Sequence, residues 1–179
     1  MNHLFLRPRL FLLASLLLGI LVVTGPVWAD KDWFYVHGTS GVIQDPTAVS
    51  NVVPLGWGLT FYLAKTSAWV HYAPPSKTLT YVNATASYKQ WAVRYVRVKF
   101  TTGSGDIKVT RVDFWDGTIL FKSIIKTWAT AWSGYNDILL DLGANWNIYR
   151  ALGVSILVER GVESMDHSIQ INSVGARWE

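Results

Sequence analysis

The sequence predicts an all-β protein, an antiparallel β-sandwich that is jelly-roll-like and has about nine or ten strands. Apolar and polar residues alternate along short segments, which is the period of a half-buried strand. Glycine, proline and aspartate separate these segments at short intervals, as turns between antiparallel strands require. Beyond the amino-terminal residues, no segment keeps an apolar stripe at helical spacing for more than a turn or two.

The clearest alternation lies in residues 93–121. Its first half places apolar side chains on one face and basic side chains on the other: Val96, Val98 and Phe100 against Arg97 and Lys99. We expect this half to be a strand, joined by a hairpin at Gly103-Ser104-Gly105 to a second strand of the same sheet. A tight turn at Asp116-Gly117 then leads into a strand over 118–121. These strands are predicted to form the centre of an antiparallel sheet.

The alternation changes phase at two places, and each change predicts a β-bulge. In the second half of the central segment the apolar positions move from odd to even numbers: Ile107 and Val109, then Val112 and Phe114. Because a one-residue slip turns every later side chain over, we expect a bulge near residues 110 and 111. The last segment changes phase in the same way, from Ile169 and Ile171 to Val174, which indicates another bulge.

Further segments with the same pattern predict the remaining strands: Trp33–His37 and residues 56–63, 68–73, 78–84, 137–142, 151–159 and 167–178. Residues 41–51 predict a loop-rich connection. Residues 123–132 are ambiguous, because their apolar side chains recur at helical spacing while the polar face is thin. One short helical turn is an alternative to a strand there.

The amino terminus has the pattern of a secretory signal peptide. Arg7 and Arg9 precede an uncharged apolar segment over 10–23, and Val27-Trp28-Ala29 offers small residues to a signal peptidase. The apolar segment is shorter than the ~20 residues of a spanning helix. We therefore predict a signal peptide over 1–29 and one β-sandwich domain over 30–179. The protein is expected to be secreted by a bacterium, periplasmic or extracellular, and to meet the membrane only through this transient segment.

Charge and cysteine content exclude several classes of function. Removal of Arg7 and Arg9 lowers Lys+Arg from 16 to 14 against 12 acidic residues, so the net charge falls from +4 to +2. No basic block occurs, which argues against a nucleic-acid partner. The chain has no cysteine, which excludes thiol catalysis and thiolate metal sites. A domain of this length is expected to be held together by its core alone.

Short local patterns recur in order along the chain: Val36-His37-Gly38, Gly56-Trp57-Gly58, Trp69-Val70-His71, Val-Asp-Phe-Trp-Asp-Gly at 112–117, Gly153-Val154-Ser155, and Ser173-Val174-Gly175-Ala176. Together they resemble the patterns of an uncharacterised family of small bacterial all-β proteins. The resemblance implies a single β-sandwich domain and no assigned activity.

Tryptophans are the candidate ligand-binding residues. Ten occur in the chain, and Trp28 falls in the predicted signal peptide. Trp115 has the parity of Asp113 and not of Phe114, which places it on the face away from the core. An exposed indole beside carboxylate acceptors suits a sugar, so the predicted site is Trp115 with Asp113 and Asp116. Burial of Trp115 under a neighbouring loop or sheet is the alternative.

Two more tryptophans, Trp128 and Trp132, are alternative platforms, because they lie on a predicted excursion between strands. No metal or cofactor is expected. His37, His71 and His167 lack ligand spacing. Asp113, Asp116 and Gly117 could contribute to a calcium site, but two carboxylates are too few by themselves, and a turn explains the Asp-Gly pair better.

No catalytic motif is present. Gly38-Thr39-Ser40-Gly41 has the wrong spacing for a nucleophile elbow, and no two acids share a strand face as a glycosidase requires. The sequence therefore favours a non-catalytic binding module for a carbohydrate or another cell-envelope or matrix component. A structural or protein-interaction domain is the alternative, and a small hydrolase or metal-dependent enzyme built on the three histidines is a third hypothesis. The oligomeric state is left open.

Overall fold

A computed structural model of the chain describes residues 32–77, 79–82, 87–128, 134–162 and 166–179. The predicted signal peptide and Trp132 lie outside the described residues. Within the described ranges, no helix is long and apolar enough to cross a membrane. The strands in chain order are β1 (Trp33–His37), β2 (Val42–Ile43), β3 (Val49–Leu55), β4 (Gly58–Leu63), β5 (Ser67–Tyr72), β6 (Leu79–Val82), β7 (Ser87–Gln90), β8 (Ala92–Thr102), β9 (Ile107–Asp116), β10 (Ile119–Trp128), β11 (Gly134–Asn147), β12 (Leu152–Arg160) and β13 (Ser168–Trp178).

The strands form an antiparallel β-sandwich, as predicted. The six-stranded sheet has the order β11-β8-β13-β4-β3, and β1 also pairs with β13. The five-stranded sheet has the order β10-β9-β12-β5-β2, and β6 pairs with β7 in a small two-stranded sheet. The strands outnumber the nine or ten expected, partly because residues 41–51, predicted to be loop-rich, contain the short β2 and the start of β3.

The predicted hairpin at residues 103–105 is wrong. β8 belongs to the six-stranded sheet and β9 to the five-stranded sheet, so this connection crosses from one layer to the other. It is held by the chain leading into β13: Gly103 N donates to Ser168 O at 2.9 Å, and Ser104 Oγ donates to Asp166 O at 2.6 Å. The turn at Asp116-Gly117 is confirmed, since β9 and β10 pair around it and Gly117 has a φ of +61°.

Both predicted bulges are present. Leu157 and Val158 of β12 pair with Arg111 and Val109 of β9, which leaves Thr110 without a register partner on β12. In β13 the register with β8 shifts between Ile171 and Ser173. These bulges keep apolar side chains pointing inward on both sides of each phase change.

The ambiguous segment after residue 121 is a strand for as far as the structure describes it. β10 continues to Trp128 and pairs with β9, with register shifts between Leu120 and Lys122 and between Ile125 and Trp128. The alternative of a short helical turn therefore does not apply to the described part of this segment, which ends at residue 128. The irregular pairing explains why the period of two is weak here.

The core lies between the two large sheets. Its largest fully buried side chains include Phe61, Phe100 and Trp178 of the six-stranded sheet and Phe114 and Ile156 of the five-stranded sheet. Since neighbouring residues of a strand point to opposite faces, the residues between these core positions reach the outer face of each sheet. Both outer faces carry aromatic and polar side chains.

Candidate binding cleft on the five-stranded sheet

Three polar residues form one row across the five-stranded sheet. Ser155 of β12 is the register partner of His71 on β5 and of Asp113 on β9. The inward positions beside them are apolar and buried: Val70, Tyr72, Val112, Phe114, Val154 and Ile156. Alternation therefore places His71, Ser155 and Asp113 together on the outer face of the sheet.

A tryptophan flanks this row on each side. Trp69 precedes His71 by two residues and is level with Leu157, while Trp115 follows Asp113 by two residues and is level with Gly153. The two rows are four residues apart along β12, or about 13 Å at the usual rise of a strand. Both indoles line a cleft whose other lining residues are Gln44, His71, Asp113 and Ser155.

The floor of the cleft is hydrogen-bonded and nearly balanced in charge. His71 Nδ1 lies 2.7 Å from Ser155 Oγ, and Arg111 Nε donates to Asp113 Oδ1 at 2.8 Å. Burial lowers the pKa of His71 below its ordinary value, so the imidazole is neutral at pH 7. The charge of Asp113 is matched by Arg111, which leaves no excess charge on this group of residues.

The two indoles are positioned by their neighbours. The guanidinium carbon of Arg111 lies 5.6 Å from the centre of the Trp69 ring, within the range of a cation–π contact. Trp115 lies beside Gly153, where an added β-carbon would be 3.3 Å from its Cβ. The Trp115 ring atoms Cδ1 and Cγ would be 3.8 Å from that β-carbon, so the indole packs close to the Gly153 backbone.

The structure brings together two of the five predicted site residues, Trp115 and Asp113. Asp113 is only 4% exposed and serves as an ion-paired part of the floor. The carboxylate of Asp116 instead accepts hydrogen bonds from the backbone N–H groups of Tyr149, at 3.1 Å, and Arg150, at 2.7 Å. Asp116 therefore anchors the chain before β12 and is not among the residues that line the cleft.

The prediction that Trp128 lies on an excursion between strands is wrong. It is the last residue of β10, is partly buried, and packs against the hydrophobic core. Its neighbour in the prediction, Trp132, falls outside the described residues.

Sequence reasoning missed Trp69, His71, Ser155 and Gln44 as members of the site. One signal was present: in β5, Trp69 and His71 alternate with buried Ala68, Val70 and Tyr72, so parity places both on the outer face. The pairing of β5 with β12, and of β12 with β9, has no local signature. Without that pairing, nothing joins Trp69 to Trp115.

The histidines do not gather into one site. His37 bonds to Thr39 and to the carbonyl of Gly56, whereas His167 bonds to Asp106 and Arg160. Among the described residues, no group of three or more His, Cys, Asp or Glu side chains is placed to hold a metal ion.

The polar row also differs from a catalytic triad. A triad needs the histidine between the serine and the carboxylate, so that one ring nitrogen bonds each partner. Here Ser155 lies between His71 and Asp113, and Asp113 accepts a hydrogen bond from Arg111. This order gives His71 no carboxylate to orient it.

No protein-family model matches the sequence, and no curated protein matches it. This agrees with the resemblance to an uncharacterised family.

The chain is similar to several solved structures. The low-affinity xylan-binding module CBM86 of Roseburia intestinalis is 7% identical, with a TM-score of 0.51 over 83% of this chain and 96% of that one. The xylan-binding module CBM15 is 12% identical, with a TM-score of 0.47 over 82% of this chain and 96% of that one. A cyclase from Fischerella sp. TAU is 10% identical, with a TM-score of 0.46 over 81% of this chain and 88% of that one. At such identities, the likeness to CBM86 shows a shared fold.

Proposed function

We propose that the protein is a secreted, non-catalytic carbohydrate-binding module whose ligand lies in the cleft between Trp69 and Trp115. The observation that carries this proposal is the arrangement of two indoles on either side of the polar row His71–Ser155–Asp113. A sugar ring has apolar C–H faces and a rim of hydroxyl groups. The indoles match the faces, and the imidazole, hydroxyl and amide groups match the hydroxyls.

The charges of the cleft favour a neutral glycan. Asp113 is matched by Arg111, and burial favours the neutral form of His71 by lowering its pKa. A charged sugar would gain no unmatched partner in this group, yet it would lose hydration on entering the cleft. The fold is shared with CBM86, a low-affinity xylan-binding module, which supports a polysaccharide as the ligand class.

A binding role without catalysis agrees with the number of carboxylates in the cleft. A glycosidase uses a pair of carboxyl groups across the scissile bond, whereas the lining residues of the cleft include one carboxylate, Asp113. That group is ion-paired and almost fully buried. The predicted signal peptide supports a location outside the cytoplasm, where polysaccharides are met.

The test is affinity electrophoresis of the purified protein in gels that contain xylan or other neutral polysaccharides. Trp69→Ala and Trp115→Ala are each expected to weaken binding at least about tenfold, as loss of a central aromatic contact does. Trp69→Phe is expected to keep part of the affinity, because it retains an aromatic face. Tyr149→Ala removes an aromatic side chain that is 69% exposed and does not line the cleft, so it serves as the matched control.

Two results would contradict the proposal. One is the absence of binding to every neutral polysaccharide in the screen. The other is binding that survives in both folded tryptophan variants, which would move the ligand away from the cleft. Circular dichroism and thermal unfolding of each variant show whether it is folded.

A further inference from the structure

Four aromatic side chains follow one line on the outer face of the six-stranded sheet, which belongs to the other layer of the sandwich. We call Trp33, Tyr35, Trp57 and Tyr62 the aromatic stripe. Trp33 and Tyr35 of β1 and Tyr62 of β4 all lie beside β13, because β1 and β4 pair with successive parts of that strand. Their register partners are Arg177, Gly175 and Ser168 in turn. Trp57 occupies the turn between β3 and β4.

Trp57 is exposed and held in place. It is 63% exposed, which is unusual for so large an apolar side chain. Its indole Nε1 donates to Gln170 Oε1 at 3.1 Å, and its carbonyl accepts from Gln170 Nε2 at 3.4 Å and from Asn172 Nδ2 at 2.9 Å. The first bond holds the ring and the other two hold its backbone before any ligand arrives, which lowers the side-chain entropy that binding would cost.

Tyr35 lies against the sheet because its neighbour has no side chain. An added β-carbon at Gly175 would overlap the Tyr35 ring, so the ring occupies the space that a side chain there would fill. The rings of Trp33 and Tyr35 are nearly parallel, at 20°, with their centres 5.7 Å apart. Tyr35 is still 39% exposed. This pair therefore offers a second fixed aromatic surface.

Polar groups run beside the stripe along β13 and β4. The amide side chains of Gln170 and Asn172 accompany Trp57, and the hydroxyl of Thr60 lies 3.4 Å from Gln170 Oε1. From Arg177 to Ser168 the stripe follows β13 for about 30 Å at the usual strand rise. A line of aromatic faces with hydrogen-bonding groups at its side suits an extended polysaccharide chain better than a compact ligand.

The charge beside the stripe indicates which class of polysaccharide would bind there. Lys99 Nζ lies 5.5 Å from the centre of the Tyr35 ring. Its register partner Asp137 is engaged by Arg97, with Arg97 Nε 3.2 Å from Asp137 Oδ1. In the part of the chain that the structure describes, Lys99 makes no ion pair of its own. A ligand carboxylate would give this cation a partner.

We infer that the aromatic stripe is a second glycan-binding surface, independent of the cleft, that takes one extended polysaccharide carrying uronic acid carboxylates. The sugar faces lie on Trp57 and on the Trp33–Tyr35 pair. Lys99 contacts a carboxylate, and Gln170 and Asn172 bond hydroxyl groups. The protein then binds two glycans of different charge, one on each outer face of the sandwich.

The test is affinity electrophoresis of the purified protein in gels that contain polygalacturonate, in parallel with gels that contain xylan. Trp57→Ala and Lys99→Met are each expected to weaken polygalacturonate binding at least about fivefold and to leave xylan binding unchanged. Trp69→Ala should weaken xylan binding and leave polygalacturonate binding unchanged. Binding to polygalacturonate should also fall as salt is raised, since Lys99 is partly exposed and salt screens its charge.

Three outcomes would overturn the inference: no binding of polygalacturonate, binding that survives in both Trp57→Ala and Lys99→Met, or loss of polygalacturonate binding in Trp69→Ala. The last would show that one site, the cleft, takes both glycans. Failure of the cleft proposal has a different signature: the wild-type protein binds no neutral polysaccharide, or Trp69→Ala and Trp115→Ala both keep that binding. Lys99→Met keeps the aromatic surface and replaces a partly exposed side chain, so it tests the stripe even if Trp57→Ala fails to fold.

Discussion

Arg111 Nε lies 2.8 Å from Asp113 Oδ1, two residues further along the same strand. The same guanidinium lies over the Trp69 ring, 5.6 Å from its centre. Asp113 is almost fully buried, whereas about a third of the Arg111 side chain is exposed, at 35%. One carboxylate in the floor of the cleft therefore positions the cation that contacts one of its walls.

Asp113→Ala is expected to lower the free energy of unfolding by about 1–3 kcal/mol, because the hydrogen bond to a charged group is lost. Urea unfolding measures the change. Asp137→Ala is the matched control: its ion pair with Arg97 is exposed, so about 1 kcal/mol or less should be lost. Equal losses in the two variants would show that the buried pair adds no particular stability.

Gly38→Ala is expected to destabilise the fold strongly. A β-carbon there would overlap the backbone carbonyl oxygen of Ile171, which cannot rotate away as a side chain can. The loss should reach or exceed the roughly 1–3 kcal/mol of ordinary overpacking. Gly56→Ala is the control, because nothing lies within 4 Å of its added β-carbon. Thermal unfolding of the two variants checks the contrast, and similar midpoints would contradict it.

Acidification should destabilise the protein through His71. Burial lowers its folded-state pKa below the ordinary 6.5, so the unfolded chain binds a proton more readily. The destabilisation caused by His71 is therefore absent above about pH 6.5 and grows as the pH falls toward the folded-state pKa. Urea unfolding of the wild type and of His71→Gln between pH 8 and pH 5 measures this, and the variant should lose less stability. Parallel pH profiles would refute the prediction.

Asp45 should titrate at about pH 2 in the folded protein, because the hydrogen bond from Lys65 lowers its pKa, with help from Thr47. Lys65→Met is expected to raise this pKa toward the ordinary 3.8, as followed by NMR of the carboxyl carbon. The stability that Asp45 gains from these contacts is fully present above pH 3.8 and is lost as the pH falls through about 2. Lys126→Met is the control, since that lysine is exposed on β10. An unchanged pKa in Lys65→Met would assign the shift to Thr47 alone.

The strands and their bulges were predictable because both are local properties of the chain. The phase changes near Thr110 and Asn172 are visible as a shift of apolar residues from odd to even positions. The hairpin at 103–105 was predicted wrongly for a related reason. Alternation shows which residues face inward, but a short glycine-containing connection is equally compatible with a hairpin and with a crossing between two sheets.

The candidate site was predictable only in part. Parity alone places Asp113 and Trp115 on one outer face. Trp69 and His71 carry the same local signal in β5, yet they are joined to Trp115 by Ser155 and Gly153, which lie more than 80 residues after β5 in the chain. Asp116 was misplaced because its partners, the N–H groups of Tyr149 and Arg150, come from a distant loop.

The strand order has a consequence for how the protein is made. β13, the last strand, lies inside the six-stranded sheet, where it pairs with β1, β4 and β8. A ribosome therefore releases almost the whole domain before that sheet can close, and until then the edges of three earlier strands stay open. We therefore expect this sheet to assemble after synthesis of its last strand, and not strand by strand as the chain emerges.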